Sequence, residues 1–468
     1  MVYWKEATRG LTTAVRPLVH ERDQSGARRT VADEFLAFFA VVLGGYALGS
    51  KGFSYLGFSP VYIGEISLVF GLVALWCTHT IRHLLRAPLV RLLLLFMAFG
   101  ALRTLPFVQQ YGLLALRDAV LWGYGVFSIV ITGVIVSRPS RLSSLLSRYR
   151  RFVPVFLVGA PIMWLGTIVV AQLAQQTGVS VPVWPGTAVP LLLVKAGDLL
   201  VHLAGVAAFL AVGLAGRTRP WQTVLLMVGV GLTGMSRGGL LAFSLAFGAA
   251  FLTHPRSRGG WRLATLAVLA IAILGITGLS LRLPGGSREV SFRQLVSHVE
   301  TTAGMSADNL AAQDLENTKQ WRLAWWAVIV SYTIGGDYRW TGKGYGVNLA
   351  TEDGFQSGDD ESLRSPHNVS MTVLARSGVI GLLLWMVLQG AWFTRMLRAM
   401  RDARRTDQRH WYALFGFLIA YWIALLVNGT FDVYIEGPAG GIWFWSVFGI
   451  GIAAELLYRS GEPLVAGR

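Results

Sequence analysis

Charge is scarce in this chain. Only 14% of its 468 residues are Asp, Glu, Lys or Arg, against roughly 25% in a soluble domain, and that shortage excludes an ordinary water-soluble globule. Cysteine is nearly absent. The lone Cys77 lies inside an apolar run, so no internal disulfide can form and a reactive thiol is not expected there. Neither a His-Glu-x-x-His motif nor a cysteine cluster exists, which disfavours a zinc enzyme. No glycine-rich stretch ends in Gly-Lys-Ser/Thr, so there is no P-loop. A cleavable signal peptide is not evident either. The residues before the first long apolar run near Phe35 are mostly polar, so that run is expected to direct insertion itself.

What is abundant is grease. The chain is 54% hydrophobic and its mean hydropathy is +0.53. Apolar runs of about 17–25 residues match the length that crosses a hydrocarbon core of roughly 30 Å. In lipid the backbone must satisfy its own hydrogen bonds, and these runs lack the alternation of barrel strands. The expected fold is all-α: a polytopic membrane protein with about 12 transmembrane helices and a large outer loop carrying short helices. The expected spans are 32–49, 60–78, 92–108, 119–137, 152–174, 189–214, 221–235, 238–253, 263–281, 367–394, 411–428 and 439–458. The organisation is then a basic arm at 1–31, helices 1–9 at 32–281, the outer loop at 282–366, helices 10–12 at 367–458 and a tail at 459–468.

The formal net charge is +16, and its distribution is topological. With the N-terminus inside, the inner segments hold 27 of the 41 Lys/Arg residues. The positive-inside rule therefore puts both termini in the cytoplasm and the 85-residue loop outside. That loop holds eight basic and eleven acidic residues, a net of −3. The basic segments favour anionic inner-leaflet lipid, and no base-reading motif points to nucleic acid. Trp4, Leu11, Val15 and Leu18 recur at helical spacing, so the arm reads as an interfacial helix or a disordered basic tail.

Within the loop, Phe292, Leu295, Val296 and Val299 form one helical face. The apolar stretch from Trp321 to Ile334 is too short to cross a bilayer. It reads either as a re-entrant or interfacial helix, with Arg322 at headgroup depth, or as the core helix of a small external unit. Gly342-Lys343-Gly344-Tyr345-Gly346 offers a turn whose backbone N–H groups can face phosphate. Asp359-Asp360-Glu361 reads as a solvated acidic tip rather than a cation site.

Charges in greasy surroundings need a reason, because an arginine at mid-membrane costs about 2.5–3.5 kcal/mol. Arg237 stands in Thr233-Gly234-Met235-Ser236-Arg237-Gly238-Gly239, between two apolar runs. The small glycines leave space beside a guanidinium, whose planar fork suits an oxyanion such as pyrophosphate. Lys195 and Asp198, three apart, are expected to neutralise each other. Glu65 is expected to make a buried structural hydrogen bond, and His202 to be a satisfied interior histidine. His79 and His83 lack nearby carboxylates, so no metal site is expected there. Only His298 and His367 face outward. An outer-surface reaction that needs an imidazole therefore points to His367, which Pro366 sets near a helix start.

Ser236-Arg237-Gly238-Gly239, Arg322-x-x-x-Trp326, Thr341 to Asn348, and His367-Asn368 followed by Leu374 to Leu382 together resemble the O-antigen ligase/polymerase superfamily. Phe431-Asp432 and Trp443-Phe444-Trp445 fit the same pattern loosely, and the resemblance covers about residues 190–458. It implies a twelve-helix glycosyltransferase that moves a glycan from undecaprenyl diphosphate to a lipid, glycan or protein acceptor at the outer face of a bacterial plasma membrane. It also implies that Arg237 and Arg322 grip the donor pyrophosphate and that His367 engages the acceptor hydroxyl. Ser236, Gly238, Asn368, Lys343 and Arg364 would support them, and neither metal nor cofactor is expected. One departure is Arg376, where the family often has an acidic residue. The rival readings are a polymerase that joins lipid-linked repeats and a lipid-glycan flippase or transporter.

Overall fold

The computed structural model describes residues 29–216, 218–234, 236–254, 257–277, 281–282, 289–290, 310–356 and 363–464. The expectations placed on the N-terminal arm, on Phe292, Leu295, Val296 and Val299, on His298 and on Asp359-Asp360-Glu361 lie outside those residues.

The described chain is almost entirely helical. In order it forms α1 (Val31–Phe53), α2 (Ile63–Thr78), α3 (Ile81–Leu84), α4 (Pro88–Tyr111), α5 (Leu113–Gly123), α6 (Gly125–Val136), α7 (Ser140–Thr177) and α8 (Ala196–Ala211). It continues with α9 (Pro220–Thr233), α10 (Arg237–Thr253), α11 (Arg258–Thr277), α12 (Leu310–Ile334), α13 (Leu349–Glu352), α14 (Val369–Arg405), α15 (Arg409–Gly429) and α16 (Pro438–Arg459). Two short antiparallel pairs, Gly57–Phe58 with Val61–Tyr62 and Leu281–Arg282 with Glu289–Val290, interrupt it.

Among the described residues six helices, α1, α4, α7, α14, α15 and α16, are long and apolar enough to cross a membrane, and the bent pair α5–α6 makes a seventh if counted as one span. This is a multi-pass all-α protein. Of the other expected spans, four fall on α2, α8, α9 and α10, which are apolar but short, α9 having 14 residues and α10 having 17. At 1.5 Å per residue such helices reach about 21–26 Å, less than a full hydrocarbon core. The expected span at 263–281 runs past the end of α11 into residues outside those described.

Helix α16 lies at the centre, with 89% of its most apolar window buried, whereas α7 has only 22% and forms the rim. Helix α8 is buried from Gly197 to Ala211. Small residues bring its neighbours close. A Cβ on Gly239 of α10 would stand 3.0 Å from the Gly197 Cα of α8, and one on Gly205 would meet the Tyr421 ring at 2.7 Å.

Ion pairs tie one end of the bundle. Arg141 Nε lies 2.7 Å from Asp33 Oδ1, and Arg395 and Arg459 both reach Glu455 at 2.9 Å. The other end is tied by Gly52 N–H to the Leu193 carbonyl at 3.0 Å and by Arg103 Nε to the Thr341 carbonyl at 2.7 Å.

At this second end α12 and α13 pack on the first turns of α14, around Trp325, Ile329, Leu349, Ala350, Leu374 and Ala375. The Trp325 indole donates to Asp353 at 2.7 Å and stacks on Phe355. Within 321–334 one face packs against protein while Leu323 and Ile334 stay exposed. Trp325 and Ile329 are fully buried against protein.

Candidate functional site

The connector between α15 and α16, Thr430 to Gly437, is where the distant motifs meet. Arg322 Nη1 donates to the Phe431 carbonyl at 2.9 Å. Its Nε is buried and has no protein partner, and Asp432 lies within electrostatic range of the guanidinium. On the opposite side, a Cβ on Gly238 would stand 2.7 Å from Phe431 Cβ, so the start of α10 presses on the same residue. Arg237 is the first residue of that helix, and Ser236 caps it by accepting from Gly239 N–H at 3.3 Å. His367 Nδ1 lies 3.5 Å from Asp432 Oδ1, longer than a well-formed hydrogen bond.

Asp432 also takes Lys195 Nζ at 3.4 Å on each oxygen and the Val433 N–H at 2.8 Å. Burial alone would push its carboxyl up. The His367 ring, the Lys195 ammonium and the Val433 amide outweigh burial and hold it well below the usual carboxylate range.

His367 is built into a tight turn. Its φ is +53°, in the left-handed region that side chains other than glycine rarely adopt. Asn368, the next residue, caps α14 by accepting from Ser370 and Met371 N–H groups at 3.0 and 3.1 Å. Trp326 donates to the Pro366 carbonyl at 2.9 Å. Ser365 and Thr372 both donate to Glu436 Oε1 at 2.9 Å. The same connector thus holds the imidazole through Asp432 and staples its turn through Glu436. Burial pushes the Glu436 carboxyl up, against lowering by those two hydroxyls, Arg376 and His367.

The structure therefore gathers Arg322, His367 and the helix start bearing Arg237 around Phe431 and Asp432. It does not bring Lys343 or Arg364 there. Lys343 Nζ sits 2.6 Å from Asp353 and over the Tyr332 ring. Arg364 Nη2 reaches Asp118 at 3.2 Å and the Gly346 carbonyl at 2.8 Å. Asn368 is occupied as a cap.

The expectation that the glycine-rich turn offers its N–H groups to phosphate is corrected. Lys343 N–H donates to the Ala375 carbonyl, Gly344 N–H to that of Arg376, and Gly346 N–H to Asp118. Those glycines serve close packing. Side chains at 342 and 344 would stand 2.3 Å from the Arg376 backbone and 2.1 Å from the Phe107 ring.

Arg376 is 2% exposed and pairs with Asp118 at 3.0 Å. The buried arginine thus finds its carboxylate on α5. Lys195 and Asp198 do act on each other electrostatically, but the direct partner of Lys195 is Asp432, and Asp198 accepts from the Ser50 hydroxyl. Glu65 accepts from the Tyr62 N–H at 3.0 Å, and His202 bonds the hydroxyls of Tyr421 and Tyr434 at 2.7 and 2.9 Å. Among the described residues no three His, Cys, Asp or Glu side chains group as metal ligands.

Sequence reasoning missed the parts of Asp118, Asp432 and Glu436. Asp432 was visible only as half of a loose motif, and Glu436 follows it by four residues. Each is an acidic residue at the edge of an apolar run, where a carboxylate is costly without a partner. That was the available signal.

A multi-pass helical protein with two arginine-bearing helices and an imidazole gathered on the connector between α15 and α16 is thus defined. Residues 222–386 match the family model described as O-antigen ligase, so the chain resembles that superfamily. No curated protein matches the chain. The matched stretch contains Arg237, Arg322 and His367, while Lys195, Asp432 and Glu436 lie beyond it. At the family level the resemblance supports a membrane glycosyltransferase of the ligase or polymerase type.

Proposed function

We propose that the protein transfers a glycan from undecaprenyl diphosphate to an acceptor hydroxyl at the outer face of a bacterial plasma membrane, with inversion and without a metal. The proposal includes about twelve crossings, the four shorter apolar helices and α11 completing the set, and both termini in the cytoplasm. The observation that carries it is the meeting of Arg322, His367 and the Arg237 helix start on Phe431 and Asp432.

The chemistry follows from those groups. The bond from the sugar's anomeric carbon to the phosphate oxygen breaks, and the charge on the departing diphosphate falls to Arg237 and Arg322. Guanidiniums fixed in advance lower the barrier without reorganising. The acceptor oxygen attacks the opposite face, and its proton passes to His367. With Nδ1 turned to Asp432, Nε2 is the nitrogen that accepts, and Asp432 steadies the imidazolium that forms. The buried, unpaired Arg322 Nε supports a ligand anion there.

The test incubates the purified protein and its His367→Ala variant with undecaprenyl-diphosphate glycan and candidate acceptors. The variant should turn over about 10²–10⁴-fold more slowly, and equal turnover would remove the proposed base. Product analysis separates the two activities. A ligase changes the carrier, whereas a polymerase lengthens the chain on it.

A further inference from the structure

A cavity of about 710 Å³ opens far from the site just described, between α7 and the start of α9. Arg150, Arg219 and Gln222 give it a polar rim, and Val153, Pro154 and Trp221 give it an apolar wall. None of the described residues that line it is a carboxylate. The Arg150 guanidinium is laid over Gly216, where a Cβ would stand 2.7 Å from Nη2. Gly216 has φ +71°, so the backbone there is shaped for a residue without a side chain. Arg219 precedes Pro220 at the first position of α9, and its N–H donates to Gln222 Oε1 at 3.1 Å. The positive end of the α9 dipole adds to the two guanidiniums.

The surroundings specify an amphiphile rather than a free anion. On α7 the sequence changes at Arg150-Arg151 from polar to apolar, which marks a membrane boundary. Trp221, 38% exposed, suits the headgroup layer. Beyond the cavity, Val224 and Val228 on α9 continue the face of Trp221 as exposed apolar side chains. A charged rim thus continues into an exposed apolar stripe on α9, the pattern of a basic lipid pocket beside a helix.

We propose that this cavity seats the headgroup of an anionic phospholipid, its phosphate held by Arg150 and Arg219 and its acyl chains lying along the Trp221–Val224–Val228 face of α9. The site is separate from glycosyl transfer and stands or falls independently of that reading.

Native mass spectrometry of the full-length protein, released from neutral detergent, tests it with phosphatidylglycerol and phosphatidylcholine of identical chains. The wild type should retain phosphatidylglycerol with roughly tenfold preference, and Arg150→Gln with Arg219→Gln should abolish that preference while the melting temperature stays the same. Equal retention of both lipids by the wild type would overturn the proposal without any variant. So would a double variant that melts normally and keeps the preference. Displacement of the lipid by millimolar inorganic phosphate would make this a free-anion site and reject the lipid assignment.

Discussion

Glu436 sits beneath the His367 turn with both hydroxyl partners on one oxygen. A carboxyl raised by burial is favoured in the folded protein when protonated. Its contribution to stability is therefore full below the unfolded glutamate pKa of about 4.3 and is lost as pH rises through the folded value. Glu436→Gln keeps an acceptor for Ser365 and Thr372 and removes that dependence. Its melting temperature minus that of the wild type should rise with pH. Glu436→Ala frees the turn, and kcat should fall about 10-fold or more through a misplaced His367, with donor KM unchanged. Loss of activity in the Gln variant equal to that in the Ala variant would assign the carboxylate another role. Asp432 behaves oppositely. Its depressed carboxyl contributes stability present above the usual pKa of about 3.9 and lost only as pH falls towards the lower folded value. The sequence named the imidazole and both guanidiniums because basic groups at the ends of apolar runs are conspicuous. It hid Asp432 and Glu436 because a carboxylate gains meaning only from its partner, here 64 or more positions away.

Helix α14 shows why one motif is built as it is. It breaks at Gly378, with φ +64° and ψ −167°. The backbone groups released there are taken up by the segment between α12 and α13. Val379 N–H bonds the Arg339 carbonyl at 2.8 Å, and the Ala375 carbonyl accepts from Lys343 N–H at 2.7 Å. A Cβ on Gly378 would stand 2.6 Å from the Arg339 oxygen. Broken backbone at membrane depth persists only where protein satisfies it, so the glycines of 342–346 and the break are one device. Gly378→Ala suffers both a positive φ and a blocked approach, and should cost about 1–3 kcal/mol. A melting temperature within a degree of the wild type would contradict that account. From the sequence the glycine run was legible as a turn, but its docking on a helix 30 residues away was not, because local pattern cannot show which backbone groups a distant break has freed.

Across the molecule, hydropathy and charge suffice for the class of fold, since both act on each segment separately. The number of crossings was harder, because four apolar helices are shorter than a hydrocarbon core and their depth depends on neighbours. Orientation has a direct check. In a Cys77→Ser background, a thiol reagent that cannot cross membranes should label Asp337→Cys in intact cells and leave Asp407→Cys unlabelled until the cells are opened. The reverse pattern would turn the proposed site towards the cytoplasm. The connector from Thr430 to Gly437 carries a further consequence. It must present a carbonyl to Arg322, an acid to the imidazole and a second acid to the turn, then start α16 at Pro438. Inserting or deleting a single residue would throw these fittings out of phase together. Length, more than the identity of any one residue, is what this segment is least free to change.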